Sequence, residues 1–308
     1  LTTWREAPTM KLACAATVRR STRSRPCPGA WSTSASGIPF VLSTASNATI
    51  EEVAERAGGE LWFQLYVVQR SLADTLVQRA LAAGYTTLVL TVDVTVNGKR
   101  KRDLRNGFSM PLRYTPGVIA DVLAHPRWLL ATLANGMPQM RNVQSAAAGD
   151  MAAQAALIQR AMDASFDWDD LARLRASWPH RLLVKGILSV EDAQRCMACG
   201  VDGVVLSNHG GRQLESLCAP VEVLPQVADA VNGTVLLDSG VRSGLDVIKS
   251  VALGADAVLL GRAVLYGLAA AGEQGAVEAI RMIKSDIDRC LALLGCPDIA
   301  GLDRGFIR

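Results

Sequence analysis

Several things are scarce or missing in this sequence, and each absence narrows the reading. The 308 residues carry a formal net charge of only +3. No basic stripe is interleaved with aromatic residues, so nucleic-acid binding is not expected. Zinc-ligand spacings are also missing, and no metal centre is expected. The seven cysteines are scattered. Cys196 and Cys199 form a C-x-x-C, but inside the helical pattern VEDAQRCMACG. Two thiols one turn apart there read as packing residues, with the thiols reduced and the protein intracellular. Residues 1–36 hold no continuous apolar core of the signal-peptide kind. No apolar run reaches the roughly 18 residues that a bilayer-spanning helix needs. A G-x-G-x-x-G after the first strand is missing too, which counts against a doubly wound dinucleotide fold.

What is present is a regular alternation. A composition of 50% hydrophobic and 20% charged residues suits one large α/β domain with a sizeable core. From residue 37 the chain reads strand GIPFVLST, helix TIEEVAERAGG, strand LWFQLYVV, helix SLADTLVQRALAAG and strand TTLVLTVD. Later come strand RLLVKGI, helix VEDAQRCMACG, strand GVVLSN, helix VEVLPQVADAV, strand TVLLDSG, helix GLDVIKSVALG and strand AVLLGRA. A last helix is expected over 278–294. Strands this apolar are buried on both faces, as in parallel sheets. The pattern predicts an α/β fold, a TIM (β/α)8 barrel over 37–308 that lacks its first strand. Residues 1–36 are Arg-, Ser- and Pro-rich without periodicity, and are expected to be an irregular, non-native or disordered arm. A shifted reading frame is a second reading of that arm, which the gene sequence would decide.

Residues 98–167 break the rhythm as a long insertion after the fourth barrel strand, too long for an ordinary loop and therefore functional or mobile. Within 111–140 the apolar PGVIADVLAHPRWLLATLANGMPQM is interrupted by His125, Pro126 and Arg127. Leu, Ile, Val and Trp128 flanked by Arg suit a membrane interface. A helical hairpin packed on the barrel or on a partner subunit is the other reading.

Polar residues cluster at the strands' carboxyl ends. These are Ser43, Gln64 and Tyr66, Thr91 and Asp93, Lys185, Ser207 with His209 and Arg212, Asp238 with Gly240 and Arg242, and Gly261 with Arg262. Seven strands each delivering one is hard to explain by packing, because a buried polar group without a partner costs free energy. A large polar ligand at the barrel mouth would supply the partners. DSGVRSG and LLGRAV each offer glycine-lined N–H groups plus an arginine, the usual barrel phosphate site after strands seven and eight. Lys185 would sit deeper. Next to a flavin's N1, a fixed cation stabilises the negative charge of reduction.

SNHGGRQLE, DSGVRSG and LLGRAVLYG together resemble the FMN-dependent L-2-hydroxy acid dehydrogenase and oxidase family, from about residue 37 to the end. VNGKRKRDLRNGF, GMPQM, LYGLAAAGEQG and DIDRCLALLGCPDI resemble its mandelate-oxidising bacterial branch, in which the long segment binds membrane. The resemblance implies FMN as cofactor and His209 as the base that takes a proton from the substrate. Asp93 is then its carboxylate partner and Tyr66 the phenol that hydrogen-bonds the substrate hydroxyl. Arg212 and Arg100 are implied as substrate residues, Arg212 gripping the carboxylate. Ser43, Gln64, Thr91, Lys185, Ser207, Asp238, Gly240, Arg242, Gly261 and Arg262 are implied as FMN contacts. The partners implied are a small 2-hydroxy acid, best (S)-mandelate, a quinone acceptor, the inner face of the cytoplasmic membrane, and further copies of the chain in a tetramer. Carbanion and hydride routes both stay open.

The family's region before residue 37 supplies the first barrel strand and a substrate tyrosine, and has no recognisable counterpart here. Full activity of this chain is therefore in question. Rival readings are lactate or glycolate as substrate with oxygen as acceptor, a defective FMN barrel, or an NAD barrel with a catalytic cysteine. Against the last, the nearest cysteine, Cys218, lies beyond the His209 loop.

Overall fold

The computed structural model describes residues 17–19, 38–96, 98, 101, 105–106, 115–135, 139–146, 163–214 and 216–307. Its strands are β1 Thr17–Arg19, β2 Phe40–Ser43, β3 Leu61–Leu65, β4 Thr87–Thr91, β5 Arg181–Ile187, β6 Gly203–Leu206, β7 Thr234–Leu237 and β8 Ala257–Leu259. From β2 to β8 neighbouring strands pair in parallel, in chain order. β1 pairs antiparallel on the outer edge of β8. Among the described residues β2 and β1 end the sheet, so it curls without closing.

The helices are α1 Ile50–Arg56, α2 Arg70–Ala82, α3 Pro116–Ala124, α4 Pro126–Asn135, α5 Trp168–Ser177, α6 Val190–Ala198, α7 Pro220–Ala230, α8 Gly244–Ala252 and α9 Arg262–Leu294. Capping boxes at Thr49/Glu52, Asp167/Asp170 and Ser243/Asp246 fix where α1, α5 and α8 begin. Each ties up backbone N–H groups that a helix start leaves orphaned.

Two periodicities build the core. Outward-facing Leu42, Phe63, Leu88, Leu182, Val204 and Leu237 pack under the helices. Residues of the opposite parity, Val41, Trp62, Val89, Leu183, Val205, Leu236 and Leu259, form a second apolar cluster inside the curl. Side chains alternate faces along a strand. The residue two places further on therefore also faces inward, one layer nearer the carboxyl end. Those residues are Ser43, Gln64, Thr91, Lys185, Ser207, Asp238 and Gly261. A polar layer thus lies on an apolar one.

The strand expectations of the sequence all find a strand. Cys196 is buried in the core, and burial pushes its thiol up to about 12, so it is a packing residue. Two helices differ. α5 follows the excursion directly and has no counterpart in the sequence reading. α9 starts well before 278 and breaks at Ala271 and Gly272. Gly267 and Gly275 let its two arms meet backbone to backbone, and the sequence reading left the first arm unassigned.

In the excursion, α3 and α4 meet at His125 with no buried residue in α3. Ile119, Leu123, Leu130 and Leu133 are 47%, 64%, 66% and 72% exposed. No helix among the described residues is long and apolar enough to cross a membrane. The chain then returns to the body at 139–146. Asn142 accepts from the Ile50 N–H at 3.0 Å and donates to the Ala48 carbonyl at 3.2 Å, while Val143 is fully buried.

Candidate active site

The inward polar layer opens into a cavity of about 1030 Å³ at the carboxyl ends of the parallel strands. Ser43, Gln64, Tyr66, Thr91, Lys185, His209 and Arg212 wall one part of it; Asp238, Gly240, Arg242, Gly261 and Arg262 wall another, and both arms of α9 line it as well. Asp93 and Ser207 are set behind that wall. Arg100 lies outside the described residues.

Across β2, β3 and β4 the tip residues bind one another. Ser43 Oγ donates to Gln64 Oε1 at 2.8 Å, and Gln64 Nε2 donates to Thr91 Oγ1 at 2.8 Å. This relay satisfies two buried polar side chains and leaves a hydrogen-bonding surface facing the cavity.

Across β5, β6 and β7 the tips carry charge. Lys185 Nζ lies 2.9 Å from Asp238 Oδ2 and donates to Ser207 Oγ at 2.8 Å. Ser207 Oγ in turn donates to Asp238 Oδ2 at 2.7 Å. Burial opposes the Lys185 ammonium, but the Asp238 carboxylate, with Asp93 behind it, outweighs burial and holds its pKa above the ordinary lysine value. Burial likewise opposes the Asp238 carboxylate, and Lys185 with the Ser207 hydroxyl overcomes it and lowers its pKa. Both directions describe an ion pair. Ser207, expected at the cofactor, instead spends its hydroxyl inside this pair and on the His209 N–H at 3.0 Å. It is fully buried and lines no part of the cavity.

His209 follows β6 with φ +57, a conformation rare for a residue with a side chain. The turn is held by Ser207 and by Ser239 Oγ, which accepts from the Gly210 N–H at 2.9 Å. So held, the imidazole reaches two partners from distant strands. Nδ1 is 3.1 Å from Asp93 Oδ1, and Nε2 is 3.3 Å from the Tyr66 hydroxyl. Nδ1 donating to the carboxylate leaves Nε2 as the acceptor facing the cavity. Asp93 Oδ2 is buried with no hydrogen-bond partner among the described residues. The loop after β4 is fastened to the same turn. The Gly98 N–H donates to Gln213 Oε1 at 2.7 Å, and a Cβ on Gly98 would lie 2.3 Å from the Gln213 carbonyl. Only glycine allows that approach.

At the other end, α9 begins at Arg262 immediately after Gly261, with its first N–H groups uncapped by a side chain. Arg262 Nη2 donates to the Gly210 carbonyl at 2.8 Å, joining this end to the His209 turn. The Arg242 guanidinium has no partner among the described residues, and positions where a Cβ would stand on Gly240 and Gly261 are open. An uncapped helix start, two arginines and open glycine backbone suit a phosphate. The apolar floor of Val41, Val89 and Leu259 suits a flat ring system, and Lys185 lies between the two ends. The residues present fit a phosphorylated flavin.

Three contributors escaped the sequence reading: Ser239, Gly98 and Gln213. Ser239 and Gln213 sit inside the motifs DSGVRSG and SNHGGRQLE, and that membership was the available signal. Gly98 likewise sits inside VNGKRKRDLRNGF, but its role depends on Gln213, far away in sequence.

The sequence model of the FMN-dependent dehydrogenase family matches residues 10–308. (S)-mandelate dehydrogenase of Pseudomonas putida is 56% identical over 272 residues, covering 88% of this chain and 69% of that protein. L-lactate dehydrogenase of Pectobacterium atrosepticum is 43% identical over 272 residues, covering 86% of this chain and 70% of that protein. The crystal structure of (S)-mandelate dehydrogenase, described as a monotopic membrane protein, superposes with a TM-score of 0.85 at 56% identity, covering 88% of this chain and 72% of that one.

Proposed function

The chain belongs to the FMN-dependent dehydrogenase family and is an FMN-dependent 2-hydroxy acid dehydrogenase, and from that premise we propose that it oxidises (S)-mandelate to the 2-keto acid. One observation carries the reading: the imidazole of His209 and the arginine- and glycine-lined phosphate cradle open into the same cavity.

In this reading His209 Nε2 takes a proton from the substrate, and Asp93 stabilises the imidazolium once formed. Tyr66, beside Nε2, hydrogen-bonds the substrate hydroxyl. Arg212 grips the carboxylate with two parallel hydrogen bonds, and Arg100 assists it. Ser43, Gln64 and Thr91 hold the ring edge, while Lys185 offers its cation to the ring and Asp238 its carboxylate to the ribityl chain. Gly240, Arg242, Gly261 and Arg262 hold the phosphate. Ser207 supports Lys185 from behind. When bound, FMN supplies the two-electron acceptor.

The curled sheet is read as a TIM barrel over 37–308 whose first strand is not among those described, with 98–167 as its insertion. Segment 111–140, whose α3 and α4 expose four large aliphatic side chains, is read as lying in a membrane interface at the inner face of the cytoplasmic membrane. A membrane quinone is the onward electron acceptor in this reading, and the assembly is a tetramer. The lactate-oxidising relatives favour a second reading, L-lactate as substrate.

The test is a visible spectrum of the purified protein under anaerobic conditions, before and after each candidate acid. Bleaching of the flavin bands by (S)-mandelate, faster than by L-lactate or glycolate, is the expected outcome. A flavin that stays oxidised with (S)-mandelate but bleaches with L-lactate would replace the first reading by the second. A protein without flavin bands would contradict both.

A further inference from the structure

β5 carries an irregularity that its pairing does not need. Its register with β6 slips between Lys185 and Ile187, and the residue in the slip is Gly186 at φ +108. A Cβ there would lie 2.6 Å from Asp93 Cβ and 2.9 Å from both Asp93 Cγ and the Asp93 backbone nitrogen. These are the root of a side chain and its backbone, not the far end of something flexible. A methyl group at 186 therefore forces Asp93 itself to move.

Little else fixes that carboxylate. Oδ1 meets His209 Nδ1 at 3.1 Å, and Oδ2 is buried with no partner among the described residues. His209 contacts the carboxylate, and Lys185 acts on it electrostatically. Asp93 is otherwise held by packing, its side chain only 9% exposed. The surface it packs on is the bare backbone of Gly186. The bulge directly follows Lys185, which strand alternation already turns into the cavity, and bulges are common beside active sites.

We propose that Gly186 is a positioning residue: its missing side chain sets the depth of Asp93 and, through Asp93, the orientation of the His209 imidazole. The proposal rests on the reading of His209 and Asp93 as the base and its partner.

The experiment compares holoenzyme carrying Gly186→Ala, Asp93→Asn and both changes together, reduced anaerobically by (S)-mandelate in a stopped-flow instrument. Gly186→Ala is expected to slow flavin reduction at saturating substrate at least about 10-fold, as sub-ångström displacements at reacting groups do. FMN affinity and the substrate concentration at half-saturation should change less than about 2-fold. Added to Asp93→Asn, the same change should slow reduction less than about 2-fold further, because the group it displaces is already disabled. Equal slowing in both backgrounds, or no slowing by Gly186→Ala alone, overturns the proposal. If Asp93→Asn itself reduces as fast as the parent, the underlying base assignment falls first, and the proposal with it.

A readout independent of turnover is the ¹⁵N resonance of His209 Nδ1 in FMN-free protein. His209→Gln identifies it among the three histidines of the chain. Gly186→Ala should move it, and an unmoved resonance overturns the proposal. Should Gly186→Ala fail to fold, Asp93→Glu overfills the same gap from the other side. It is expected to reduce as slowly as Asp93→Asn, and reduction above half the parent rate would overturn the proposal.

Discussion

The strand tips and the 98–167 excursion treat polar and apolar groups in opposite ways. At the tips, most polar side chains are partly or fully buried and hydrogen-bond one another: Ser43 to Gln64 to Thr91, Lys185 to Ser207 to Asp238, Asp93 to His209 to Tyr66. In α3 and α4, apolar side chains stand exposed and α3 buries none. The tips therefore gain order from internal partners, and the hairpin has an apolar face that the described residues do not cover. Exposed aliphatic patches of this kind mark surfaces for association. Between the two regions stands Asn142, through which the excursion rejoins the body.

Four changes would break or sharpen this contrast. The largest effect on stability is expected from Lys185→Met. It leaves the Asp238 carboxylate buried without its cation, at a cost of about 3–5 kcal/mol in denaturant unfolding. An unchanged midpoint would mean that the tips are not interlocked. Asn142→Ala comes next. It strands the Ile50 N–H and the Ala48 carbonyl, at about 1–3 kcal/mol. It should also speed limited proteolysis between 98 and 167, and equal cutting rates would deny Asn142 its anchoring role.

Smaller still is a pH effect on the body. The hydrogen bonds and charge of Arg79 hold the Glu51 carboxyl at about 2, below its ordinary 4.5. Its folded value is depressed, so its stabilisation is complete above pH 4.5 and is lost as pH falls from there toward 2. The pair is partly solvent-screened and is worth no more than about 1 kcal/mol. Thermal melts of Glu51→Gln and the parent should therefore converge toward low pH. Melts separated equally at every pH would contradict this. The smallest effect on stability, within about 0.5 kcal/mol, belongs to the combined change Leu123→Ser, Leu130→Ser and Leu133→Ser. The same variant should lose at least about 10-fold in binding to anionic phospholipid vesicles, with reduction by soluble substrate unaltered. Undiminished vesicle binding would remove the hairpin from the membrane.

Much of the fold was legible because strand and helix leave periodic marks. β2 to β7 are apolar runs ended by a polar residue and β8 by Gly261, and each such ending is a tip of the inward layer. The strand-tip residues of the cavity wall were visible as a set because seven tips repeat one pattern; the α9 residues that also line it were not. Contacts made across the sequence left no such mark. Asn142 meets Ile50 from 92 positions away, and Gly186 meets Asp93 from the neighbouring strand. Ser207 was legible as a tip residue, but its position behind the wall depends on how far Lys185 and Asp238 reach. α5 was missed because it directly follows an excursion without rhythm. The first arm of α9 was missed because its glycines pack against glycines.

The central claim is that the imidazole after β6 and the phosphate cradle after β7 and β8 serve one bound flavin. Its most direct test is anaerobic stopped-flow reduction of purified His209→Gln by (S)-mandelate, with FMN content measured on the same sample. The account predicts a full complement of FMN and a reduction rate at least about 100-fold below the parent. Reduction at the parent rate by an enzyme carrying glutamine at that position would contradict it.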